Sequence, residues 1–157
     1  MEKYGIEWAK SDDVGVSLIH AAMSLELIKH CHVSPNFYLS EYQCQCDRCK
    51  GVLISPSTEL VRYVQAIRGE CDCPITISGP LRCYRHNQEV GGADDSRHLP
   101  EHADGVDLAC PESMSIDQFI NVIRHVKAEI GIKGGIGLYP DRVHVDTRGY
   151  DAEWDER

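Results

Sequence analysis

The sequence predicts an α+β domain, a small and largely antiparallel sheet covered on one side by helices. Three observations predict it. Two stretches place apolar residues at helical spacing behind a capping signal: Leu60, Val61, Val64 and Ile67 after Ser55-Pro56, and Phe119, Ile120 and Ile123 after the box Ser115-x-x-Gln118. Short alternating runs read as strands at Pro74–Ser78, Gly105–Ala109, Ile136–Tyr139 and Val143–Thr147. The last two runs flank Pro140-Asp141, a turn pair that makes them a hairpin.

The elements follow in order. Residues 1–13 are a loose lead-in, and Ser11-Asp12-Asp13 caps an amphipathic helix over Val14–His30 with Leu18, Ile19, Ala22, Leu25 and Ile28 on one face. Ser34-Pro35-Asn36 breaks the chain, so residues 1–33 form an N-terminal helical extension and 34–150 the main domain. Gly69 stops the helix that starts near Ser55, and Gly131 stops the one that starts at Ser115. Between Gly79 and Asp104 lie 26 polar, Gly-rich residues without periodicity. Irregular stretches of that length in a compact domain usually carry function. The tail, 151–157, is polar and expected to fray.

Length and charge narrow the function. A chain of 157 residues makes one domain, or one with a short extension. Sixteen basic residues against twenty-five acidic ones give a net charge of −9, which disfavours nucleic acid. No run approaches the ~20 apolar residues of a membrane span. The first residues lack the basic start and apolar core of an export signal, so cytoplasmic synthesis is expected. Gly131–Gly137 lacks the lysine and glycine spacing of a phosphate loop.

Eight cysteines are many for a chain expected to stay reduced. Cys44, Cys46 and Cys49 put three thiols within six residues, which suits a soft metal, and Cys83, Cys73 or Cys71 could complete a tetrahedron. A metal or disulfide link among Cys44, Cys46, Cys49 and Cys83 stands beside the alternative of free buried thiols.

A second constellation carries chemistry. Strand alternation puts His144 and Asp146 on one face of their strand, and Asp107 opposite Val106 and Leu108. With His98 at the end of the long loop, these residues suit a catalytic zinc, which takes three protein ligands and leaves one position open. The alternative is a hydrogen-bonded histidine among surface carboxylates.

The run Gly79-Pro-Leu-Arg82-Cys83-Tyr-Arg-His-Asn87-Gln-Glu-Val-Gly91-Gly92-Ala-Asp-Asp-Ser96-Arg-His98 resembles peptidase family M15. These are the zinc D-Ala-D-Ala carboxypeptidases and related cell-wall peptidases, phage endolysins included. The likeness is to the small single-domain branch. It continues in Gly135-Ile-Gly-Leu-Tyr139, in Val143-His-Val-Asp-Thr-Arg-Gly149, and in the opening Asn36-Phe-Tyr-Leu-Ser-Glu41-Tyr-Gln-Cys44. The resemblance implies the hedgehog/D-Ala-D-Ala peptidase-like fold and a Zn2+ peptidase acting on peptidoglycan stem or cross-bridge peptides. It implies His98, Asp107 and His144 as zinc ligands, Arg82 and Ser96 as substrate contacts, and Asp141, three before the last ligand, as catalytic base. Asp141 is equally a turn-forming aspartate, and Asp146 a partner of the metal-bound histidine or a hairpin residue.

Two departures from the family pattern matter. His98 and Asp107 are nine residues apart, two more than in the usual His-x-x-Gly-x-Ala-x-Asp, so His102 or Asp104 competes for the ligand position and Glu101 for the base. Pro80-Leu81 stands where a tyrosine usually precedes the arginine. Two rival readings remain: a non-catalytic zinc-binding module of the same fold that recognises wall peptides, and a Cys-metal adaptor. A phage or prophage lysis enzyme suits the small leaderless domain.

Overall fold

The computed structural model describes residues 27–28, 30–49 and 53–157. The helix expected over Val14–His30 lies almost wholly outside the described residues. Of it, Leu27 and Ile28 are helical. A short antiparallel pair, β1 (His32–Ser34) and β2 (Phe37–Tyr38), turns at Pro35-Asn36, and two 3-10 turns, Leu39–Tyr42 and Asp47–Cys49, carry the chain through the cysteine loop.

The main body is a five-stranded sheet with two long helices on one face. Its strands are β3 (Ile77–Gly79), β4 (Gly105–Ala109), β5 (Gly135–Leu138), β6 (Arg142–Asp146) and β7 (Ala152–Asp155), in the order β3-β4-β6-β5-β7. All neighbours are antiparallel except β5 and β7, which run parallel at the edge. The helices are α1 (Thr58–Cys71), the short α2 (Tyr84–Glu89) and α3 (Ile116–Glu129). No described helix is long and apolar enough to cross a membrane.

Burial explains the layering. Leu60, Tyr63, Val64 and Ile67 of α1 meet Phe119, Ile120, Ile123 and Val126 of α3, and both rows cover Val106, Leu108, Val143, Val145 and Ile136 of the sheet. The Tyr63 hydroxyl donates to the Ile123 carbonyl at 3.4 Å and joins the two helices. Alternation along β4 and β6 then sends Asp107, His144 and Asp146 to the other face. The Ser115 box forms as read: Ser115 Oγ accepts from the Gln118 amide at 3.2 Å and Gln118 Oε1 accepts from the Ser115 amide at 2.8 Å.

Four details of the sequence reading change. The first strand sits at Ile77–Gly79, where Ile77 and Gly79 pair with Leu108 and Asp107 of β4. Helix α1 starts behind Ser57, whose Oγ accepts from the Leu60 amide, and runs through Gly69 to Asp72, which takes the left-handed cap at φ 47°. The irregular stretch hides α2, with Cys83 as its N-cap. The tail does not fray: Ala152–Asp155 alternates in burial and adds the edge strand β7, its backbone satisfied by β5.

Candidate functional site

The register of the sheet builds the site. Gly79, Asp107, His144, Gly137 and Trp154 are successive cross-strand partners from β3 to β7. A Cβ on Gly79 would strike the Asp107 carboxylate, and one on Gly137 would lie 2.6 Å from the Trp154 ring. The two glycines therefore make room for the two larger groups on either side of His144. His98 arrives from the loop above, its backbone held by the Arg82 amide, which donates to the His98 carbonyl at 2.8 Å.

Three buried donor atoms converge. Asp107 Oδ1 lies 2.9 Å from His144 Nδ1 and 3.3 Å from His98 Nε2, and the two imidazole nitrogens are 3.2 Å apart. The outer nitrogen of each ring faces an acceptor. His98 Nδ1 donates to the Pro80 carbonyl at 2.9 Å, and His144 Nε2 donates to Asp146 Oδ2 at 2.9 Å. In the neutral rings those bonds put the single proton outside, so the lone pairs of both inner nitrogens and the Asp107 carboxylate point at one another. Such a triangle calls for a cation. Its edges approach the ~3.3 Å between ligand atoms on a tetrahedral zinc with bonds of ~2.0–2.1 Å, and two imidazoles with one carboxylate are a zinc donor set. The residues fit a metal.

A carboxylate shell supports the triangle. Asp146 is fully buried and accepts from His144, from the Gly135 amide at 2.7 Å, and from the Arg148 guanidinium. Burial alone would raise its carboxyl, but the bonds from His144 and Arg148 outweigh it and hold it far below the usual carboxylate range. At Asp107 burial is likewise outweighed: when the two imidazoles carry protons inward in place of a metal, their pull holds the carboxyl below the usual carboxylate range. The two histidines are pushed apart. Burial lowers His98, whereas at His144 the pull of Asp107 and Asp146 exceeds burial and raises it.

The remaining candidates separate. Arg82 donates from NH2 to the outer oxygen of Asp107 at 3.2 Å and is mostly buried. Ser96 Oγ accepts from the His98 amide at 3.4 Å and so shapes the turn that presents the ring. Asp104 pairs through both oxygens with Arg97, which removes it from the triangle. Glu101 accepts from the Tyr84 hydroxyl, and His102 meets Asp95 at 2.7 Å, both in the exposed loop. Asp141 is 78% exposed in the turn before β6, where it accepts from Arg142 at 3.1 Å; it is not part of the triangle. Cys44, Cys46, Cys49 and Cys83 form a separate cluster.

Sequence reasoning missed three residues at the site. Trp154 lies 5.4 Å from His144 between ring centroids, Arg148 clamps Asp146, and Arg142 Nε stands 4.0 Å from Asp107. Alternation in Ala152–Asp155 was the available signal for Trp154, and Arg142 shares the face of His144 by the same two-residue period.

A family model described as Peptidase M15 matches residues 35–146. The match spans well over half of the chain and contains all three residues of the triangle, and the chain belongs to the peptidase M15 family. Its members are metallopeptidases. No curated protein sequence matches the chain.

Proposed function

We propose that the protein is a zinc-dependent peptidase that cuts peptide bonds in peptidoglycan stem or cross-bridge peptides, as a carboxypeptidase or an endopeptidase. One observation carries the reading: three buried ligand atoms, from His98, Asp107 and His144, converge at zinc-ligand spacing, and the outer nitrogen of each ring already faces an acceptor. Zinc held there would supply Lewis-acid chemistry, lowering the pKa of a water and polarising a carbonyl. Asp146 keeps the His144 proton on the outer nitrogen, and Pro80 does the same for His98. Asp141 is the proposed base, taking a proton from the attacking water and returning it to the leaving amine. Arg82 is the proposed anchor for an anionic substrate group, since its side chain already meets the edge of the site through Asp107. Ser96 sits beside the first ligand and is the second proposed substrate contact. The wall substrate and a lysis setting of the phage endolysin kind rest on the M15 membership and its motifs.

A second reading, a wall-peptide-binding module without hydrolysis, is favoured by the exposure of Asp141 and its bond to Arg142. Mass spectrometry of defined peptidoglycan peptides incubated with zinc-loaded protein separates the two. Cleavage that is lost with chelator and in His144→Ala, and is strongly reduced in Asp141→Asn, is the expected result. Intact peptides across stem and cross-bridge types, with zinc bound, would sink the peptidase reading in favour of the module. Full activity in Asp141→Asn would remove that residue from the chemistry.

A further inference from the structure

The four thiols away from the triangle converge from two segments. Cys44, Cys46 and Cys49 come from the loop after β2, and Cys83 comes from the turn into α2, 34 residues further along than Cys49. Their Sγ atoms all lie within 4.8 Å of one another, with Cys46 Sγ 3.0 Å from Cys49 Sγ and 3.7 Å from Cys83 Sγ. A disulfide needs ~2.05 Å and joins sulfurs in pairs. Four sulfurs around a point, with separations near the ~3.8 Å edge of a tetrahedron built on ~2.3 Å zinc–sulfur bonds, make a different object.

The backbone supplies one donor to the cluster. The His86 amide donates to Cys83 Sγ at 3.3 Å. An N–H directed at sulfur suits a sulfur that carries negative charge in a metal bond. Four thiolates without a cation would repel one another at these distances, so the arrangement again calls for a positive centre. Sulfur selects a soft one.

We propose that Cys44, Cys46, Cys49 and Cys83 bind a structural zinc ion, distinct from the His98–Asp107–His144 site. Binding is a proton-for-metal exchange: four S–H bonds give up their protons to solvent as four S–Zn bonds form, with no change of oxidation state. The ion would staple the 44–49 loop to the residue next to Arg82. Arg82 in turn holds both the His98 carbonyl and the Asp107 carboxylate, so the staple fixes one wall of the other site. The four-coordinate, all-sulfur sphere has no open position for substrate, which marks the site as structural.

The test counts zinc and thiols on the full chain. Purified under reducing conditions and loaded with Zn2+, the wild-type chain should keep one equivalent that His98→Ala/His144→Ala retains and Cys46→Ser/Cys49→Ser loses. With Co2+ in place of Zn2+, a thiolate-to-cobalt charge-transfer band should appear in the wild type and in the histidine variant, and vanish in the cysteine variant. A measurement on unmutated protein covers misfolding of that variant. Alkylation followed by mass spectrometry should label the exposed Cys31 at once, and Cys44, Cys46, Cys49 and Cys83 only after chelator strips the metal. Labelling of all four before chelation, a disulfide among them in the freshly isolated chain, or no sulfur-to-cobalt band would overturn the proposal. A chain that binds only at the cysteines would leave it standing while removing the catalytic zinc, so the two readings fail separately.

Discussion

Asp146→Asn tests the geometry of the triangle through a residue that does not belong to it. Asparagine keeps the volume, and its Oδ1 can still accept from the Gly135 amide, as Asp146 does at 2.7 Å. The other oxygen becomes an NH2 group facing His144 Nε2, which donates to it at 2.9 Å in the native site. Two donors would then oppose each other. The ring relieves this by moving its proton to Nδ1, the atom 2.9 Å from Asp107 that points at the metal position. Zinc must displace that proton to bind. Loss of such an outer partner typically weakens metal affinity 10–100-fold, which corresponds to about 1.4–2.8 kcal/mol at 1.4 kcal/mol per decade. Arg148 also loses its charged partner, so the fold should lose stability. The assay is competition for Zn2+ against a chromophoric chelator, read beside a thermal melt, in a Cys46→Ser/Cys49→Ser background if the cysteines hold a second ion. An Asp146→Asn chain that stays folded and binds zinc within twofold of the parent would refute the proton placement on which the site reading rests.

The remaining predictions address the frame and its charge. Gly79→Ala should push the Asp107 carboxylate out of the triangle, costing about 1–3 kcal/mol by overpacking and abolishing zinc binding there; a normal melt with normal zinc content would contradict the close approach of β3 to Asp107. Trp154→Ala removes the indole packed beside His144 and opens the β7 edge; with the ring only partly buried, the expected loss is about 1–3 kcal/mol, read as a lowered Tm, and an unchanged Tm would return the tail to a frayed segment. Acid stability should depend on Asp107 and Asp146. Both titrate below their unfolded value near ~3.9, so their stabilisation is complete above that pH and is lost as pH falls through it toward the folded pKa values. Melts at descending pH should therefore show a steeper loss below about pH 4 for the wild type than for Asp146→Asn, and equal slopes would count against the depressed carboxyl.

What could be read in advance follows from which interactions are local. Capping and periodicity depend on neighbours within four residues, so the Ser115 box and the apolar faces of α1 and α3 were legible. Strand alternation also assigned Asp107, His144 and Asp146 to the face away from the helices. Helix ends were less so: Gly69 reads as a stop, yet α1 continues to Cys71 because Asp72 supplies the left-handed cap. The role of Trp154 was hidden because it depends on register. Nothing in a seven-residue polar tail says that it will pair in parallel with β5, and only that pairing sets the indole across Gly137 and against His144. The partners of Arg82 and Arg148 were hidden for the same reason: an arginine can meet any carboxylate the fold brings near.

The longer gap between His98 and Asp107 shows why ligand spacing on this fold tolerates change. The gap is closed at its root, not along its length. The Arg97 carbonyl accepts from the Asp104 and Gly105 amides at 3.3 and 3.1 Å, and the Arg97 guanidinium binds the Asp104 carboxylate through two nitrogens. Residues 98–103 therefore form a loop whose two ends are already clamped where β4 begins. His98 is the first residue of that loop and Asp107 the third of β4, so their separation in space depends on the clamp and on strand register. The tip, Pro100–His102, is the part with room to lengthen: at its base Leu99 and Ala103 are buried, Ala103 adopts φ 48°, and its carbonyl accepts from the Ser57 amide at 2.8 Å. Lengthening a closed loop by two residues costs only a fraction of a kcal/mol in closure entropy, well under the ~0.6 kcal/mol of a doubling. The side chain that makes Asp104 a rival ligand by sequence is the one that closes the loop, and in doing so it leaves Asp107 alone on the inward face.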